Sequence, residues 1–114
     1  MGDAALLGAF EELVLLALVH LDRESYGMAL RREIARRSGR DVSIGAVYAT
    51  LSRLEGKGYL ETYLHDGGED RGGQPRRMYR LLPVGADVLA RTGEVRGNMW
   101  EGVDTAALRE GPTS

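Results

Sequence analysis

Apolar residues recur at helical spacing over residues 4–21, where Leu6, Leu7, Phe10, Leu13, Val14, Ala17 and Leu21 share a stripe that Leu16 and Leu18 widen. The pattern predicts a first helix that is apolar over more than one face. Either it is a central core helix, or its second apolar side meets another subunit. Met28, Leu30, Ile34 and Ala35 predict a second helix, with Ser25 as its N-cap, Ser38-Gly39 as its end, and Arg31, Arg32, Arg36 and Arg37 on the other face. Ile44, Val47, Leu51 and Leu54 predict a third, capped by Ser43 and ending at Gly56 to Gly58. At about 100° per residue, that stripe turns Gly45, Ala49, Ser52 and Arg53 to the opposite side and leaves Tyr48 on the flank.

The period then drops to two. Tyr59, Leu60, Thr62, Tyr63 and Leu64 suit a strand of mixed exposure, and residues 66–75 are too rich in glycine for anything regular. Arg76 to Leu82 resumes strand character, with Tyr79 and Leu81 on one face and Met78 and Arg80 on the other. Pro83 suits the first turn of a last helix, expected to run to about Leu108 before Gly111-Pro112. Three helices, a hairpin and a closing helix make the winged-helix arrangement. The fold class expected is α+β, mostly α: a winged helix-turn-helix over residues 1–83, a C-terminal dimerisation helix over 84–110 and a tail over 111–114.

Composition narrows the function. The chain of 114 residues has 43% hydrophobic residues, enough for one modest core, and no cysteine, which excludes disulfides, thiolate zinc sites and cysteine nucleophiles. Its longest apolar stretch, Leu13 to Leu21, is too short to span a bilayer and contains His20, so no membrane partner is expected. Asp3, with no basic region before the apolar residues, does not read as a secretory signal, and a cytoplasmic location is expected. His20 and His65 fall on different elements without a nucleophile motif, and the carboxylates form no compact pair. Neither an enzyme nor a metal or cofactor is expected.

The net charge of -2 conceals an asymmetry. From Arg23 to Arg80 there are 12 Lys and Arg against 8 Asp and Glu; the rest of the chain has 3 against 9. A basic centre between acidic ends suits a centre that faces phosphate.

A recognition helix needs a small polar face that lets its backbone into the major groove, and a few donors for base edges or phosphates. On the third helix Gly45, Ala49 and Ser52 permit approach, Tyr48 and Arg53 can donate, and Lys57 at the far end is expected at phosphate. Ser43 and the free amides at the helix start suit a phosphate oxygen. In the wing Arg71, Gln74, Arg76, Arg77 and Arg80 cluster around glycines. Glu69 and Asp70 at its tip argue against deep insertion, which leaves the phosphate contacts mainly on Arg76 and Arg77.

Tyr26-Gly27, the run from Ser43 to Gly58 and the run from Gly73 to Leu81 resemble the PadR family of winged-helix regulators. The Val47-Tyr48 helix paired with the Pro75-Arg76-Arg77 strand carries the likeness, which extends from about Leu7 to about Leu89. Ala49, Met78 and Pro83 stand where the family has proline, tyrosine and threonine. The resemblance implies a homodimer that represses transcription from an operator on double-stranded DNA and is relieved by a small molecule, and it adds Tyr26 to the expected DNA contacts. MarR-like and ArsR-like regulators share the fold but match these segments less well. A winged helix that binds protein is the remaining alternative, against which the arginines of the second helix and wing speak.

On the last helix Val88, Val95, Met99, Gly102 and Ala106 form one seam, with Leu89, Trp100, Val103 and Ala107 beside it. Gly93, Gly97 and Gly102 each cost about 1 kcal/mol relative to alanine, so this helix should be marginal until docked. Trp100, Val103 and Asp104 look like the segment that lines the dimer cavity of multidrug-binding PadR proteins. A small aromatic effector is therefore expected at Phe10, Met99, Trp100, Val103 and Asp104. Trp100 either stacks such a ligand or merely fills the dimer interface.

Overall fold

Leu15, Leu18, Leu30, Leu51, Leu54 and Leu60, each within 1% of complete burial, come from three helices and a strand and define the centre of the core. The computed structural model describes residues 5–67 and 72–111. In chain order its elements are α1 (Ala9–His20), β1 (Glu24–Tyr26), α2 (Gly27–Ser38), α3 (Ile44–Gly56), β2 (Leu60–His65), β3 (Arg76–Leu81), α4 (Pro83–Trp100) and α5 (Thr105–Glu110). Glu69, Asp70 and Arg71 of the expected wing tip lie outside the described residues.

The first helix starts later than residue 4 because the backbone before it is engaged elsewhere. Leu7 N–H donates to Thr92 Oγ1 on α4 at 3.1 Å, and Gly8 N–H donates to the Glu11 carboxylate at 2.9 Å. These bonds satisfy amides that a helix start leaves orphaned. Within α1, Val14, Leu15, Ala17 and Leu18 are buried, whereas Leu16 and Val19 remain exposed. Both readings of its excess apolarity thus have a physical counterpart on the same helix.

A strand not anticipated from the sequence follows. Ser25, expected as an N-cap, lies in β1 opposite Tyr79, and Tyr26 takes the cap position of α2. Three residues are too few to show a period, and what makes them a strand is pairing with β3, more than fifty positions away. The sheet order is β1-β3-β2, antiparallel throughout, with Leu60 opposite Leu81 and His65 opposite Arg76 across the hairpin.

The third helix matches its expected start, since Ser43 Oγ accepts from Ala46 N–H at 3.0 Å. Val47, Leu51 and Leu54 point into the core with Thr50, while Gly45, Tyr48, Ala49, Ser52 and Arg53 are exposed. Tyr79 and Leu81 press onto the same core from β3, and Val88 and Leu89 close it from α4.

The last helix departs from expectation. It ends at Trp100 rather than running on to Leu108, Gly102 adopts a left-handed φ of 83°, and a separate α5 begins at Thr105. The Asp104 carboxylate accepts from the amides of Ala106 and Ala107 at 3.0 and 3.2 Å. A glycine after a marginal helix, followed by an Asp N-cap, favours two short helices over one. The seam from Val88 through Met99 is therefore broken before Gly102 and Ala106. All residues from Gly93 to Glu110 are exposed.

Candidate nucleic-acid interface

The exposed side of α3 is built around Tyr48, whose ring lies on the first turn of α2. A Cβ added to Gly27 would stand 2.5 Å from Tyr48 Cε1, so only glycine admits the ring there. With Tyr48 laid flat, the flanking Gly45, Ala49 and Ser52 leave the helix backbone accessible.

Beside it, antiparallel pairing of β1 with β3 carries Tyr26 to the base of the wing. The Arg76 guanidinium stacks 3.6 Å from the centre of the Tyr26 ring. Arg32, from α2, donates to the Tyr26 hydroxyl at 2.9 Å. Arg77 donates to Thr62 Oγ1 at 3.2 Å on the neighbouring strand. Tyr26, Met28, Arg32, Tyr48, Pro75, Arg76 and Arg77 thus line one cleft of 390 Å³ between α2, α3 and the wing. Three guanidinium groups around two phenol rings present planar donors of the kind that can pair with phosphate oxygens, with the exposed face of α3 alongside. Gln74 is exposed next to this cleft, and the Ser43 cap lies at the start of α3.

Arg32 and Met28 were missed as members of this site. Met28 counted as a core position by periodicity, yet it is 39% exposed and faces the cleft. The signal for Arg32 lay in its spacing from Tyr26, which brings a residue six positions on near the helix start only when Tyr26 is folded back as a strand.

Other cations are engaged by partners within the fold. The second helix has no single basic face: Arg31 donates to Val42 O at 2.7 Å, and Arg36 and Arg37 both bind Glu33. Arg37 above all, with Arg36, holds the Glu33 carboxyl below its ordinary range despite its desolvation. Arg80 is paired with Glu24 and Glu61, at 3.2 and 2.7 Å. At the far end of α3, Lys57 donates to Glu11 Oε2 at 2.8 Å, and Arg53 lies 3.2 Å from Thr50 Oγ1 and 3.9 Å from the same Glu11 oxygen.

The residues expected around an effector fall into two places within one protomer. Met99 and Trp100 line a groove of 220 Å³ with Leu6, Leu7, Thr92, Val95 and Arg96. Val103 and Asp104 line a separate groove with Ala107, Leu108 and Gly111. Phe10 is half-buried against the core and lines neither. Asp104 is exposed, and its Oδ1 accepts from the two amides that start α5. Among the described residues no cluster of His, Asp and Glu could hold a metal ion, and no helix is long and apolar enough to cross a membrane.

A model of the transcriptional regulator PadR-like family matches residues 15–91. No curated protein matches the sequence. Among solved structures, a PadR family transcriptional regulator from Eggerthella lenta is 29% identical, covers 88% of this chain and 83% of its own, and superposes with a TM-score of 0.67. RosR of H. salinarum is 26% identical over 94% of this chain and 89% of its own, with a TM-score of 0.68. A winged-helix DNA-binding protein from STIV is 17% identical over 88% of this chain and 100% of its own, with a TM-score of 0.69, a likeness of fold alone.

Proposed function

The chain belongs to the PadR-like family of transcriptional regulators, and from that premise we propose that it is a homodimeric repressor that grips operator DNA with α3 and the wing. The observation that carries this reading is the cleft in which Arg32, Arg76 and Arg77 surround Tyr26 beside the exposed face of α3. In it Gly45, Tyr48, Ala49, Ser52 and Arg53 read base edges, while Tyr26, Ser43, Gln74, Arg76 and Arg77 hold the backbone. Selection of bound fragments from random duplex DNA, followed by footprinting, tests it. A two-fold related site is expected, with half-sites about 10 base pairs or a multiple of that apart. Protection of one asymmetric half-site, or no enrichment, overturns the reading.

Dimerisation through residues 84–110 is supported by the bare end of α4, where Met99 is 75% and Trp100 54% exposed and no other element covers them. An apolar stripe of this kind on a glycine-interrupted helix gains stability by packing against a second copy. Two such helices brought together would also unite the Trp100 groove of one protomer with the Asp104 groove of the other, and there we place a flat aromatic effector. A folded monomer at micromolar concentration in sedimentation overturns the dimer.

A further inference from the structure

Glu11 is 7% exposed, although it is a carboxylate on the first turn of α1. One of its oxygens accepts from Gly8 N–H at 2.9 Å, and the other accepts from Lys57 Nζ at 2.8 Å with Arg53 at 3.9 Å. Lys57 is the C-cap residue of α3, and Arg53 lies one turn before it. A single buried anion therefore clamps the end of the proposed recognition helix through Lys57, while Arg53 stays exposed within reach of it. The clamp does not stop at α1. Leu7, next to Gly8, is tied to Thr92 of α4, and Glu12, next to Glu11, is paired with Arg96 of α4.

We propose that Glu11 is a positioning residue for DNA binding, which fixes the tilt of α3 through Lys57 and ties that tilt to α4. The inference rests on the DNA-binding reading above. Its physical basis is the cost of weakening the pairing of a buried carboxylate: a Lys57 that left for a phosphate would leave Glu11 with the Gly8 amide and the more distant Arg53 alone, so Lys57 stays. Lys57 then contributes to selectivity through the orientation of α3 and does not neutralise DNA. Sequence-independent affinity comes from Arg32, Arg76 and Arg77 instead, and they are untouched by Glu11.

The test compares full-length wild type, Glu11→Gln, Lys57→Met and the double variant. The probes are the best duplex recovered from the random-sequence selection and a scrambled duplex of equal length, titrated over a range of salt. Glutamine keeps an oxygen for Gly8 N–H but puts an NH2 donor where Lys57 found an acceptor, which releases Lys57, and thermal melts check that each variant is folded. The ratio of selected to scrambled affinity is expected to fall about tenfold in either single variant, within the range for mutations that alter coupling between elements. The double variant should be no worse than either single one, and binding of the scrambled duplex should not weaken. The salt dependence of Lys57→Met should equal that of wild type.

A slope reduced by about 0.9 in Lys57→Met identifies Lys57 as an ordinary phosphate contact and overturns the proposal. So does an unchanged selectivity ratio in folded Glu11→Gln. If Glu11→Gln melts below the assay temperature, Lys57→Met alone decides through its slope and ratio. Failure to recover any selected duplex sinks the DNA-binding reading itself, and this inference with it, whereas a selected duplex bound identically by all variants sinks only the inference.

Discussion

The Tyr48 ring and the α-carbon of Gly27 are in such close contact that no side chain fits between them, and this contact joins the exposed face of α3 to the start of α2. Gly27→Ala should therefore displace Tyr48 rather than be absorbed. The atoms met are the far end of an exposed side chain, so the ring can swing aside at little cost. The expected result is a nearly unchanged denaturation midpoint together with altered preference among duplexes. Unaltered preference would show that Tyr48 lies off the reading surface.

Arg76 and Arg77 should act uniformly across sequences. Replacement of either by alanine is expected to weaken selected and scrambled duplexes alike and to flatten the salt dependence by about 0.9 per lost phosphate contact. Because Arg76 stacks on Tyr26, Tyr26→Ala should reproduce part of the Arg76→Ala loss, and the two changes should be less than additive. Strict additivity in a double-mutant cycle would separate the two residues.

The sequence displayed most of this architecture, and its failures share one physical character. Helix faces follow from local periodicity, so α3 and its Ser43 cap were legible residue by residue. The strand β1 was not, because Glu24, Ser25 and Tyr26 acquire their role from a partner strand distant in the chain. The cleft around Tyr26 was hidden for the same reason. The break at Gly102 was visible as a poor helix residue, but the competing Asp104 cap decides it, and a seam drawn through both positions overrode that signal. Arginine counts misled about α2 because Glu33 and Val42 engage three of the four cations.

Acid should loosen the molecule partly through Glu11. Burial alone would push its carboxyl up, but the Lys57 hydrogen bond, the Gly8 amide and the charges of Lys57 and Arg53 together hold it below its ordinary value. A carboxyl depressed on folding stabilises the fold above its unfolded pKa of about 4.3, and that contribution is lost as pH falls through the lower folded value. Urea midpoints measured from pH 7 downward should therefore fall more steeply below about pH 4.3 in wild type than in Glu11→Gln. Parallel curves would remove Glu11 from the acid response.

Trp100 offers an optical handle on the bare end of α4, being the sole tryptophan. In the proposed dimer its emission should shift to shorter wavelength as protein concentration rises. Flat aromatic dyes should quench it, with each stacked ring pair contributing about 0.5–1.5 kcal/mol beyond buried area. Trp100→Ala, followed through the dye's own signal, should bind at least several-fold more weakly. Equal dye binding by the alanine variant would leave Trp100 as interface packing.

The stretch of α4 beyond its last buried residue, Thr92, reaches to Trp100, which at a rise of about 1.5 Å per residue makes an arm of about 12 Å, tied to α1 through the Arg96–Glu12 pair. A tilt of that arm by about 10° displaces its tip by about 2 Å, more than half the spacing of one step along a DNA strand. In the proposed dimer the partner is carried on that tip. A ligand wedge too slight to disturb any core contact would then throw the two reading heads out of phase with the turn of the double helix, as a small error in gear spacing stops two wheels from meshing.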